Sequence, residues 1–368
     1  MKKYLPWIVY AFSFLAFSYT LYSLIKVATT FQPDFSIFYY AARDVLHGIT
    51  PYNDKTLFTA FNYPVATTIF FMPFTFFSFK ISQSIFTITN AVALFSAILF
   101  TYKSLQKKIV VWQFLVVASF ALLAFPTKFT FGMGQTNLIA YALLLAGFFL
   151  FSKTKRIKSA FLFFLCAMLL KPILFFTLLV FLFEKQYTYF FSLCIAIAFF
   201  VFLIPILFHL PNSNVIFLQN ILHQSLAGRE VYYNQGFLGF IARLTNNLAL
   251  RTIVTTGITV PLLFFVFWKI RSISFVSKLS LLLTTLLLID PLSWQHHFVF
   301  LLLPFLLTYF LVTKQKLHQK FYLLLFVMSY LFVAWNFKTP QIFQSFPLIL
   351  SNQLYGTILL LFLQLKLL

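Results

Sequence analysis

Acidic residues are scarce in this chain. Six aspartates and glutamates stand against 27 lysines and arginines in 368 residues. Charged residues of both signs reach only 9%, where a soluble globular protein carries about a quarter. Water is therefore not the main solvent. Cysteine is almost absent: Cys166 and Cys194 both lie in apolar runs, as expected of buried thiols with no disulfide or metal role. Neither C-x-x-C nor H-E-x-x-H occurs among the two cysteines and six histidines, so there is no zinc signature and no cofactor is expected. Linkers, low-complexity tails and internal repeats are also missing, and the last of these disfavours a repeat-built transporter. One integral membrane domain over residues 1–368 is expected.

What the chain has is apolar length. Hydrophobic residues make up 61% and the mean hydropathy is +0.93. Residues 5–25 run 21 positions without a charge, enough to cross about 30 Å of hydrocarbon. That is too long for the core of a signal peptide, and no clear small-residue cleavage site follows; a retained first transmembrane helix is expected. The net charge of +21 does not point to nucleic acid, because no basic stripe stands outside the apolar segments. The lysines fall in short clusters between them, such as Lys103/Lys107/Lys108 and Lys153/Lys155/Arg156/Lys158. That is a positive-inside pattern, with anionic lipid headgroups as counter-charge.

The charge pattern fixes an expected topology for an all-α, polytopic membrane protein of roughly 10–12 transmembrane or re-entrant segments. Residues 64–79, with Pro64 and Pro73, read as a short juxtamembrane or re-entrant helix, and 84–102 as the second crossing. Residues 125–137 and 209–250 read as loops on the extracytoplasmic side. The apolar run 159–183 carries Lys171-Pro172 at its centre. Proline breaks a helix, and a lysine inside a membrane is costly and tends to be functional. The expected form is a broken hairpin with Lys171 reaching toward the outer-face site; the competing form is one tilted helix with a snorkelling lysine.

Half of the carboxylates, Asp34, Asp44 and Asp54, cluster in the polar break after the first segment. On this topology five polar motifs share that face: 34–52, 62–64, 132–137, 234–244 and 290–297. Asp34 follows Pro33 and precedes an aromatic run. A partly desolvated carboxylate there suits a general base; the competing role is a helix N-cap. Around it, Tyr39, Tyr40, Arg43, Tyr52, Asn62 and Tyr63 are candidate substrate contacts. Gln135 and Asn137 flank a glycine-rich turn, where they either bind hydroxyls or cap the next helix. Asn234 and Gln235 belong to the fourth motif. Trp294, His296 and His297 suit sugar stacking and phosphate contacts, with Asp290 placed either to orient a histidine or to bind a cation. Lys171, Arg229 and Arg243 are cations for a lipid phosphate, although Arg243 also suits a snorkelling anchor.

In their order along the chain these motifs resemble glycosyltransferase family 87 of the GT-C superfamily. The residues that carry the resemblance are Asp34 to Tyr52, Tyr63-Pro64, Gly134-Gln135-Thr136-Asn137, Lys171-Pro172, Asn234 to Leu244 and Asp290 to His297. The chain departs from the family pattern at Val65, Gly236 and Asp290. The resemblance implies an inverting transfer of a hexosyl, in that family often mannosyl, unit at the extracytoplasmic face of a bacterial cytoplasmic membrane. The donor would be a polyprenyl-phosphate sugar and the acceptor a hydroxyl of a glycolipid or glycan. Asp34 would take the acceptor proton, and cations would meet the leaving phosphate. The absence of a nucleotide-binding motif agrees with a lipid-linked donor. Two other classes compete: a membrane transporter, and a lipid-linked-glycan polymerase or ligase in which outer-loop arginines dominate.

Overall fold

The computed structural model describes residues 5–52, 61–226, 233–336 and 347–368. Every regular element among them is helical. The α-helices are α1 (Leu5–Ala28), α2 (Pro33–Leu46), α3 (Phe79–Ser104), α4 (Val111–Leu123), α5 (Phe125–Met133), α6 (Asn137–Phe149), α7 (Ile157–Leu170) and α8 (Leu179–Phe183). They continue with α9 (Tyr187–Leu207), α10 (Ser213–Leu226), α11 (Phe237–Ala242), α12 (Leu248–Ile270), α13 (Phe275–Ile289), α14 (Leu302–Val312), α15 (Gln319–Ala334) and α16 (Asn352–Leu367). Among the described residues seven helical stretches are long and apolar enough to cross a membrane, and α4 with α5 forms a further pair bent by 65°. Four shorter apolar helices, Ile157–Leu170, Pro172–Phe183, Phe275–Ile289 and Gln319–Ala334, accompany them. The protein is an all-α polytopic membrane protein, as its apolar runs foretold.

Local sequence explains the breaks that matter. Residues 64–79 form two 3-10 turns, Val65–Phe70 and Met72–Phe76, and the long helix after them starts at Phe79. The run 159–183 does break at Lys171, which takes φ −143° and ψ 87°. A residue before proline is pushed out of the helical region by the proline ring, so α7 ends at Leu170 and a 3-10 segment Pro172–Leu178 follows. Two expected loops are largely helical. Residues 125–137 hold α5, and 209–250 hold α10, α11 and the start of α12. Their proline and polar content hides short helices whose stability comes from packing rather than from propensity.

The described chain forms two compact units that interleave in sequence. The first takes Met1–Leu123, Thr127–Leu174 and Thr188–Ile221; the second takes Ala124–Pro126, Phe175–Tyr187 and Leu222–Leu368. In the first, α1 packs on α4, α3 on α6, and α6 on α7. The short helix α2 lies on the 3-10 turns and α3, and its aromatic run makes the core there. Phe35 stacks on Phe86 with centroids 4.7 Å apart, and Phe38 on Phe71 at 4.5 Å. Pro33 occupies the first turn of α2, where its fixed φ suits a helix start. Gly48 at φ +70° follows its end.

In the second unit α16 packs on α13, α14 and α15. Asn352 donates to the carbonyls of Phe332 and Trp335 at 2.7 and 2.8 Å, satisfying acceptors at the end of α15 that the helix itself leaves open. Lys278 is buried in an ion pair with Glu184 at 2.6 Å. The two side chains differ in access to water, 6% exposed for Lys278 and 32% for Glu184. Removing the acid strands a buried ammonium, whereas removing the lysine leaves a carboxylate that water can reach. Glu184→Ala is expected to cost more than Lys278→Met, read as apparent melting midpoints of the detergent-solubilised protein.

Candidate active site

Asp34 is the second residue of α2. It is not the N-cap: that place belongs to Gln32, which makes no side-chain capping bond. The Asp34 carboxylate is half-buried, and its Oδ2 accepts from Gln135 Nε2 at 2.6 Å. Gln135 is not spent on capping either, since Thr136 stands at the N-cap of α6. Its Oε1 accepts from Lys171 Nζ at 3.2 Å and from the Tyr63 hydroxyl at 3.4 Å. Lys171, only 3% exposed, also donates to Tyr63 Oη at 2.6 Å. Tyr52 closes the set by donating to the Tyr63 carbonyl at 2.7 Å. Asp34, Gln135, Lys171, Tyr63 and Tyr52, from four separate sequence motifs, thus meet inside the first unit.

The framework around them is specific. Gly134 sits at φ +73°, and a Cβ there would come within 2.6 Å of Phe35 Cβ and 2.9 Å of Gln32 Cβ. Only glycine lets this turn lie against the start of α2, which carries Gln135 to Asp34. Gln32 pins the same turn from the other side, donating to the Phe131 carbonyl at 2.8 Å and to Thr87 at 3.0 Å. Thr67 donates to the Leu169 carbonyl at 2.8 Å, tying the turn after Tyr63 to the end of α7 and so to Lys171. Neither Gln32 nor Thr67 was singled out from sequence. Gln32 had one signal, a polar residue next to Pro33 in the break; Thr67 had none.

The other first-unit candidates play different parts. Tyr39 is buried and donates its hydroxyl to the Phe77 carbonyl at 2.9 Å; it belongs to the aromatic core, because it shares the inward face of α2 with Phe35 and Phe38. Tyr40 stacks on Phe79 at 6.0 Å and remains exposed. Arg43 is exposed and Asn62 half-buried. Asn137 is fully buried in the first turn of α6. Arg229, like Asp54 and Glu230, lies outside the described residues.

The motifs around 234–244 and 290–297 meet inside the second unit. An isolated antiparallel bridge pairs Asn234 with Trp294. Gln235 N–H donates to the Ser293 carbonyl at 2.7 Å, and Gln295 N–H to that of Tyr233 at 3.0 Å. Asn234 Nδ2 reaches the Pro291 carbonyl at 2.7 Å. Gly236 approaches the backbone so closely that a Cβ would lie 2.8 Å from the Asp290 carbonyl oxygen. Arg243 is braced, donating to the Asn234 carbonyl at 2.9 Å and to Ser351 Oγ at 2.7 Å. Gln235 donates to the Leu350 carbonyl at 2.7 Å and accepts from Gln353 N–H at 3.3 Å. Ser351 and Gln353 carried no sequence signal. His296 and His297 are buried, with rings perpendicular at 4.6 Å. His297 Nδ1 accepts from Trp294 N–H at 3.3 Å. Asp290, placed as the C-cap of α13, is half-buried. No group of three or more metal-ligating side chains occurs among the described residues.

The profile of glycosyltransferase family 87 matches residues 61–291, well over half of the chain. The chain belongs to that family, and the protein is a membrane glycosyltransferase. No curated protein and no solved structure matches it. The matched span contains Tyr63, Gln135, Lys171, Asn234 and Asp290 but stops short of Asp34 on one side and of Trp294 on the other. Asp34 enters the site through its contact with Gln135, not through the family match.

Burial pushes the Asp34 carboxyl up from 3.8 to about 6, while the Gln135 bond and the Lys171 charge hold it down. Because the folded pKa is raised, this group favours the folded state below pH 3.8 and loses that contribution as the pH climbs through about 6. Asp34→Asn, which keeps the shape and accepts the Gln135 bond, is therefore expected to melt at or above wild type at pH 8. Its advantage should shrink toward pH 4, as followed by melting midpoints across the pH range.

Proposed function

We propose that the protein transfers a hexosyl unit, mannosyl in first preference, from a polyprenyl-phosphate donor to a hydroxyl of a glycolipid or glycan, with inversion. The observation that carries this reading is the Asp34 site. A half-buried carboxylate is joined through the Gln135 carboxamide to a buried ammonium, in a membrane protein with very few other acids. In this reading Asp34 Oδ1 or Oδ2 takes the acceptor proton as the acceptor oxygen bonds to the anomeric carbon. The bond between that carbon and the phosphate oxygen breaks, and the lipid phosphate leaves with the electron pair. Opposite attack and departure invert the anomeric centre. The growing charge on the leaving phosphate needs donors; Lys171, Arg229, Arg243, His296 and His297 are the candidates. Tyr40, Arg43, Tyr52, Asn62 and Trp294 are proposed to line the substrates, on the extracytoplasmic side of a bacterial cytoplasmic membrane.

A base with a pKa near 6 is mostly ionised at pH 7 yet still accepts a proton, which is the range in which general-base catalysis works best. The test is sugar transfer by the purified protein in nanodiscs, with a panel of polyprenyl-phosphate hexoses and a mixed glycolipid acceptor pool. Asp34→Asn is expected to lower kcat by about 10²–10⁴-fold while the protein stays folded. The wild-type kcat/KM should rise with pH along an acid limb centred near 6, following the ionisation of Asp34. Full activity in the folded asparagine variant would remove Asp34 from the base role.

A further inference from the structure

We propose that Lys171 sets the charge state of Asp34 by fixing which way round the Gln135 carboxamide sits. As a catalytic device this positioning role rests on reading Asp34 as the base; as geometry it stands by itself. An amide oxygen only accepts and an amide nitrogen only donates. Gln135 turns its oxygen to Lys171 Nζ, 3.2 Å away, and its nitrogen to Asp34 Oδ2, 2.6 Å away. Turned over, the amide would set its nitrogen against the ammonium and its oxygen against the carboxylate. Only a protonated Asp34, donating to that oxygen, tolerates the turned state. An ammonium has donors and no acceptor, so Lys171 excludes it. Tyr63 cannot do the same, because a hydroxyl serves either end of an amide. Lys171 thereby holds a donor on Asp34 and keeps it ionised against the pull of burial.

Among the described residues, little else on the elements packed against α2 competes for this role. The 3-10 turns packed on α2, Val65–Phe70 and Met72–Phe76, carry no charged residue, and α3 carries Lys80 and Lys103 but no acid. Lys128 lies on α5. On α2 itself, Arg43 and Asp44 come nine and ten residues after Asp34, roughly 14 Å along the helix.

The experiment reads the proton on Asp34 without any sugar donor. Wild-type protein in nanodiscs is titrated by infrared spectroscopy, and the carboxylic-acid band is isolated by subtracting the Asp34→Asn spectrum. The wild-type midpoint is expected at about 6. Gln135→Leu and Lys171→Met should each raise it by about one unit or more, whereas Tyr63→Phe, which disturbs the same packing but leaves the chain of donors, should move it by much less. The double variant Gln135→Leu/Lys171→Met should move by clearly less than the sum of the two single shifts, because the part of the Lys171 effect that passes through Gln135 is lost with either residue, while its direct charge on Asp34 adds separately. Melting curves identify any unfolded variant, and Gln135→Met or Lys171→Leu then replaces it. Midpoints unmoved in both single variants overturn the proposal. Fully additive shifts overturn it as well, since Lys171 would then act across space and not through Gln135. Sugar transfer by Asp34→Asn is a separate readout: if it persists, Asp34 is not the base, while the titration still decides how its charge is held.

Discussion

A lysine ammonium taken out of water must be surrounded by oxygens or the fold does not tolerate it. Lys171 is in that position, and the first unit is arranged around meeting its demand. One oxygen comes from Tyr63, beyond the polar break, and another from Gln135, before α6. Each of those residues is held in turn by its own backbone. The Gly134 turn lies against α2, Gln32 clamps that turn, and Thr67 ties the segment after Tyr63 to the end of α7. The aromatic core under α2 adds the non-polar half of the same support. Stacked rings at Phe35–Phe86 and Phe38–Phe71 fix the helix that carries Asp34. The carboxylate is therefore placed by packing on one side and by a charge-assisted network on the other.

The fold was largely legible because membrane helices are long apolar runs, and such runs announce themselves without knowledge of neighbours. The break at Lys171-Pro172 was legible for an equally local reason, the steric effect of proline on the residue before it. Short helices in polar stretches were not. α5, α10 and α11 lie in segments whose composition reads as loop, and what makes them helical is the rest of the structure. The two compact units were also hidden, since they interleave along the chain and no composition shift marks them.

The site was legible as parts and not as wiring. Asp34, Tyr63 and Gln135 stood out in polar motifs between the apolar runs, and Lys171 as a charge inside one of them. The sequence could not say that Gln135 lies between the other two, because that depends on a glycine turn and on which end of an amide faces which partner. Tyr39 was misplaced for a related reason: on a helix three or four residues separate one side chain from the next on the same face, and Tyr39 turns inward with Phe35. In the second unit the sequence picked out Arg243 and the histidine pair as ligands in waiting. The structure adds that Arg243 is already braced on Asn234 and Ser351, and that the Trp294 N–H donates to His297 Nδ1.

The dependence on a carboxamide at position 135 has a meaning at the level of the gene. Glutamine and glutamate codons differ by one base, and the two side chains have nearly the same size and shape. Most sites in a protein would pass such a change with little consequence. Here it would set a second carboxylate against Asp34 and divide the Lys171 ammonium between the two, so the smallest step available to mutation changes the charge of the whole network. Variation at this position should be narrow for reasons of charge, however permissive the surrounding apolar sequence is.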